Sequence, residues 1–133
     1  MTERVYIPVT SSVLARLVAE GRLGGPFRAH AVTDALRADW ADGDEESWEY
    51  AALMAAAVES VALRSAGDAP RRYVVAADVP SVVPVPGEEP TLVDVAADVP
   101  WKNVAAAHVD TSDDADEDDD LAWFATQEIE HLA

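Results

Sequence analysis

The chain contains no cysteine and a single lysine, Lys102. Without thiols it can form no disulfide, no thiolate metal site and no cysteine nucleophile. No window approaches the roughly 18 to 20 consecutive apolar residues that a membrane span requires. Met1-Thr2-Glu3-Arg4 leads straight into a strand-like segment, without the basic-then-apolar order of a secretory leader. The expected location is therefore the cytoplasm. Gly-rich phosphate loops, a Gly-x-Ser-x-Gly elbow and a His-Glu-x-x-His helix are also missing; the close glycines Gly21, Gly24 and Gly25 do not open a helix. Nucleotide binding by the common routes is not expected.

Large side chains are scarce. Half of the residues are apolar, but much of that half is alanine, so a 133-residue chain forms one domain with a thin core. That core is expected to lean on Tyr6, Phe27, Trp40, Trp48, Tyr50, Tyr73, Trp101, Trp123 and Phe124.

Positive charge is the most unevenly supplied feature. The net charge is −17; residues 1–72 hold eleven acids and eight bases, for −3, and residues 73–133 hold fifteen acids and one base, for −14. Such a field repels nucleic acid and anionic lipid and attracts basic partners, which disfavours direct binding to DNA, RNA or a membrane surface.

The pattern of what is present predicts an α+β fold. Arg4 to Thr10 is rich in β-branched and aromatic residues and reads as a strand, with Pro8 expected at its end or at an unpaired edge position. Ser11 or Ser12 can cap a helix carrying Val13, Leu14, Leu17 and Val18 at helical spacing, stopped by the glycines from Gly21 onward. Phe27 to Thr33 alternates as a second strand, and Thr33 caps a short helix that ends at Asp42-Gly43. Asp44 then caps a long helix with Glu45 and Glu46 in its first turn. From Trp48 to Leu63 only Glu49, Glu59 and Ser60 are polar. A helix so apolar is buried on more than one side or shows one side to a partner, and a homodimer through 48–63 is one form of the latter.

Arg71 to Ala77 reads as a third strand. Val75-Ala76-Ala77-Asp78-Val79-Pro80 recurs as Val95-Ala96-Ala97-Asp98-Val99-Pro100, which predicts two strands leaving through the same turn, joined by a proline-rich loop. A turn at 101–104 and a short strand at 105–109 follow. Leu121 to Ile129 is apolar enough to return to the body, as a last strand in preference to a short helix. The expected fold is α+β, an antiparallel or mixed sheet of about five strands covered on one face by two or three helices, with a ferredoxin-like arrangement among the options. It forms a single domain over 1–133, with 110–120 a flexible acidic loop and 121–133 returning to the domain.

That block, Asp110 to Asp120, places eight acids among eleven residues. Adjacent carboxylates repel by something on the order of 1 kcal/mol each in water, so the stretch is expected to be extended or disordered. Asp110, Ser112 and Asp114 fall at the first, third and fifth positions of an EF-hand-like loop, but Ala115 stands where glycine is needed and Leu121 where a bidentate glutamate is needed. No metal site and no cofactor are expected. The remaining reading is recognition of a basic protein surface through Asp113, Asp114, Asp116, Glu117, Asp118, Asp119 and Asp120.

His30, His108 and His131 are the side chains that titrate near neutrality without perturbation. Were the second and fifth strands neighbours, His30 and His108 could meet, with Glu128 orienting one and Arg4, Arg28 or Arg72 nearby. This would give a small-molecule-binding or hydrolytic pocket between sheet and helices. The leading expectation is a non-enzymatic protein that works by contact with a basic partner; the pocket is the alternative.

Several segments resemble the landmarks of an uncharacterised family of small actinobacterial proteins of unknown function. They are Val5-Tyr6-Ile7-Pro8-Val9-Thr10, Ala31-Val32-Thr33-Asp34-Ala35-Leu36-Arg37, Gly43-Asp44-Glu45-Glu46 running into Glu49-Tyr50-Ala51-Ala52, Val75 to Pro80, and Trp123 to Ile129. The alanine-rich, aspartate-rich, lysine-poor composition agrees with a GC-rich genome. The resemblance implies no activity, ligand or functional residue.

Overall fold

Alternation along the first strand decides the layering. In β1 (Glu3–Val9) the side chains of Val5, Ile7 and Val9 point to one face and Tyr6 to the other, and all four are buried. A strand buried on both faces needs cover on both. A computed structural model describes residues 2–132. It continues with α1 (Ser11–Glu20), β2 (Arg22–Leu23), β3 (Phe27–His30), α2 (Asp34–Asp39) and α3 (Glu45–Ala62). Then come β4 (Tyr73–Val79), β5 (Val83–Pro84), β6 (Leu92–Val95), β7 (Val99–Pro100), β8 (Val104–Val109) and β9 (Ala122–Ala125), with 3₁₀ turns at Trp101–Asn103 and Thr126–His131.

Among the described residues seven strands form one sheet in the order β5-β6-β3-β1-β4-β8-β9, and β2 pairs with β7 in a separate ladder. Every pairing is antiparallel. The class is α+β as expected, with seven sheet strands where about five are expected. The ferredoxin-like arrangement, in which both helical connections join parallel strands, does not form: β1 and β3, joined through α1, are adjacent and antiparallel, whereas β3 and β4, joined through α2 and α3, run parallel with β1 between them. Helical cover also lies on both faces, not one. Val5, Ile7 and Val9 meet Leu14 and Leu17 of α1 and Ile129 of the last turn, whereas Tyr6, Val74, Ala76 and Ala106 meet Ala52, Ala56 and Ala57 of α3.

The core is built from small residues. The largest fully buried side chains are Leu14, Leu17, Ile129 and His30, followed by valines. The expectation that aromatics anchor it holds in part: Tyr6 and Tyr73 are buried and Phe27, Trp101 and Phe124 pack half-buried against the core, while Trp40, Tyr50 and Trp123 are exposed. Alanines on the inner side of α3 let its backbone sit close to the sheet, with Leu53 packed beside them, while Tyr50, Val58 and Val61 stand exposed.

Local signals set the helix ends. Thr10 caps α1 in place of the expected serines, while Thr33 and Asp44 cap α2 and α3 as expected, each accepting a backbone N–H three residues on. Gly21 ends α1 with a φ of 73°, a left-handed conformation that glycine adopts without penalty. Pro8 lies in a central strand, not at an edge; its missing donor is tolerated because the β1–β3 register is confined to Tyr6 and His30. The closing segment 121–129 forms the expected strand only to Ala125, then turns.

The hexapeptide repeat does not give two equivalent strands. Its first copy occupies β4 from Val75 to the strand's end at Val79, where Asp78 faces Arg4 across the ladder, and Pro80 follows. Its second copy leaves β6 at Val95, bends through Ala96 to Asp98 and joins β7. There Asp98 accepts the backbone N–H of Gly25 at 2.7 Å. A side chain at Gly25 would stand 2.5 Å from the Ala97 carbonyl oxygen, so only glycine permits this approach.

Candidate functional site

His30 and His108 do not converge. Both point to the α3 face, but β1 and β4 separate their strands, a span of roughly 14 Å at the usual strand spacing. His30 is fully buried, with Nδ1 2.7 Å from Thr91 Oγ1 and Nε2 2.8 Å from a Glu59 carboxylate oxygen of α3. His108 is half-buried beside Tyr6, ring centroids 6.3 Å apart, and burial together with the Arg4 charge lowers its pKa. The Tyr6 hydroxyl donates to Glu49; burial and that carboxylate push the phenol well up. Glu128 caps the Ala125 N–H and orients neither histidine. Arg4, Arg28 and Arg72 pair with Asp78, Asp94 and Asp110 respectively, at three separate places. The pocket that the alternative reading requires is not assembled.

The acidic block is assembled, and the reason is Arg72. Its side chain is only 4% exposed and that of Asp110 only 2%. Arg72 Nε donates to Asp110 Oδ2 at 2.9 Å and Nη2 to Oδ1 at 2.7 Å, a two-pronged pair, while the Arg72 backbone N–H also reaches Oδ2 at 2.8 Å. Burial alone would raise the Asp110 carboxyl; the bonds from Arg72 outweigh it and hold the group below the ordinary carboxylate range. The same guanidinium donates to the backbone carbonyls of Glu117 at 3.1 Å and Asp119 at 2.8 Å. One buried cation thus gathers both ends of the loop.

Further bonds fasten the segment between. Arg71 Nε donates to Asp113 at 2.7 Å, and the Asp114 N–H donates to the Pro70 carbonyl at 2.8 Å. Asp114 has a φ of 53°, which aspartate tolerates better than most residues. Asp116 and Asp119 cap each other's turn through backbone N–H groups. Tyr50 of α3 donates its hydroxyl to Asp120 at 2.7 Å. The block is thus held in turns, where its charge alone predicts an extended chain. Its carbonyls turn inward to Arg72, and Asp113, Asp114, Asp116, Glu117, Asp118, Asp119 and Asp120 remain on the surface. Among the described residues no three acidic or imidazole groups converge as metal ligands would.

The loop lies against apolar surface. Leu121 packs on the cluster beneath α3. Three residues after Asp120, Trp123 stands 62% exposed on the edge strand β9, opposite His108. On the outer side of α3, Tyr50, Val58 and Val61 are exposed at spacings that share one helical face, Val58 at 66%. The question of whether α3 is buried on several sides is thereby answered: its inner side is buried and its outer side is open. The Tyr50–Asp120 bond joins the carboxylates to the outer side of α3. Sequence reasoning singled out the acids, assigned Tyr50 and Trp123 to packing, and did not connect Arg72 with the acidic block. The adjacent Arg71-Arg72, the last bases before a stretch with a single lysine, was the available signal.

The model of a family of unknown function (DUF6912) matches residues 3–133, and the chain belongs to that family. No curated protein and no solved structure matches it. No helix among the described residues is long and apolar enough to cross a membrane.

Proposed function

We propose that this member of a family without an assigned activity is a non-enzymatic cytoplasmic protein that works by contact with another protein, one presenting an apolar patch bordered by lysine or arginine. The observation that carries this reading is the Tyr50–Asp120 bond, which joins the outward carboxylates of 113–120, fastened through Arg72, to the exposed side of α3, with exposed Trp123 following three residues later. An apolar centre with a charged rim is the usual anatomy of a protein interface, and the charge chiefly steers encounter and selects the partner. A second copy of this chain fits less well, since each copy carries −17 and would bring like charges together.

The test is affinity capture by the immobilised full-length chain from an extract of its native host, followed by binding measurements with the captured protein purified. Two variants are compared with the natural chain. One changes Asp116, Asp118, Asp119 and Asp120 to asparagine, which keeps their acceptor oxygens; the other is Trp123→Ser. Each is expected to weaken the complex by about tenfold or more, roughly 1.4 kcal/mol, and added salt should weaken the natural complex while leaving the neutralised variant little changed. Equal binding by both variants would remove this reading. Light scattering that finds a stable dimer of the chain alone would favour α3 as a self-association face.

A further inference from the structure

The two edges of the seven-stranded sheet are unlike. The β5 edge consists of Val83 and Pro84, and proline withholds a donor from any added strand. The β9 edge reads Ala-Trp-Phe-Ala, with no proline and no charge. Ladder geometry shows which of its backbone groups are free. Asp110 donates its N–H to the Arg72 carbonyl at 3.1 Å. By the alternation of antiparallel ladders, His108 then bonds toward β4, and Ala107 and Val109 bond toward β9. Their partners Phe124 and Ala122 face inward, so the N–H and C=O of Trp123 face away from the sheet. The other end of β9 agrees: the Ala125 N–H points outward and is taken by Glu128 at 2.9 Å. Among the described residues no other strand pairs with this edge.

We infer that β9 is a docking edge, to which an extended segment of the partner adds as an eighth, antiparallel strand. This rests on the reading of the surface as a site for a basic partner and specifies how that partner binds. The partner residue opposite Trp123 would exchange both backbone bonds with it and place its side chain on the α3 face, against the exposed indole. Antiparallel addition carries the C-terminal part of the segment past Leu121 toward Asp120 and Asp119. The segment that fits has an apolar residue opposite Trp123 and lysine or arginine two to four positions later. Main-chain bonds would supply affinity and the acidic loop would set direction and register.

The test uses the full chain labelled with ¹⁵N and an end-blocked octapeptide alternating valine and lysine, followed by amide shifts and hydrogen exchange. A second peptide of the same sequence carries N-methyl groups on alternate residues, which keeps the charge but removes donors. The expected result is shift changes centred on 121–125, slowed exchange of the Trp123 amide, and affinity weakened about tenfold by N-methylation. Shifts confined to 113–120 and indifferent to N-methylation would overturn strand addition while leaving the basic-partner reading in place. The absence of any shift at low salt with either peptide would overturn both.

Discussion

Replacing Arg72 with methionine probes the feature on which the candidate surface depends. Methionine fills much of the aliphatic volume but removes every guanidinium bond. Asp110 would keep the backbone N–H of residue 72, lose both guanidinium bonds, and remain almost fully buried; the carbonyls of Glu117 and Asp119 would lose their donor. Breaking a buried pair by deleting one member costs about 3–5 kcal/mol, because the remaining charge is uncompensated. Domains of this size have a total stability of about 5–15 kcal/mol, so the loss should be plain in urea denaturation followed by tryptophan fluorescence. Its pH dependence carries a sign. In the natural chain the Asp110 carboxyl titrates below its unfolded value, so its contribution is fully present above about pH 4 and is lost as pH falls through the lower folded value. In the variant, burial without a partner raises that carboxyl, so the penalty should be largest at neutral pH and shrink on acidification. The double variant Arg72→Met with Asp110→Leu should recover most of the loss, while amide exchange across 111–120 stays fast because no donor gathers the carbonyls. A single-variant cost below about 1 kcal/mol, with loop exchange unchanged, would refute the claim that Arg72 organises the loop.

Three other expectations follow from groups elsewhere in the fold. Ser60 is fully buried and bridges two strands, donating to the Val9 carbonyl at 2.6 Å and accepting from the Tyr73 N–H at 3.0 Å; Ser60→Ala should cost about 1–3 kcal/mol by chemical denaturation, as both backbone groups lose their partner. His108 has a lowered pKa from burial and the Arg4 charge, so stability should be fully present above the ordinary imidazole value of about 6.5 and decline as pH falls toward the lower folded one; His108→Gln should flatten that slope in a series of thermal melts. At Asp114, where φ is 53°, glycine should be accepted with little change, whereas valine should cost about 1–2 kcal/mol by the same melts.

Sequence alone determined the features governed by short-range physics. Thr33 and Asp44 announce the caps of α2 and α3, and Gly21 the end of α1, because each satisfies backbone groups within three or four residues. The β-branched and aromatic composition of β1, the alternation in β3 and the concentration of acidic charge after residue 72 were likewise legible. Tertiary structure decided what those segments do to one another. Identical hexapeptides became strand in one place and bend in another, since Asp78 has Arg4 across a ladder and Asp98 has the backbone of Gly25. Trp123, which looks like core in the sequence, stands exposed because the strand order leaves β9 at the edge of the sheet. The acidic block, whose local repulsion predicts an unpacked loop, is folded because one buried arginine from a distant strand end receives its first carboxylate and two of its carbonyls. Repulsion between neighbours is visible in one dimension; the cation that outweighs it is placed only when the sheet brings residue 72 beside residue 110.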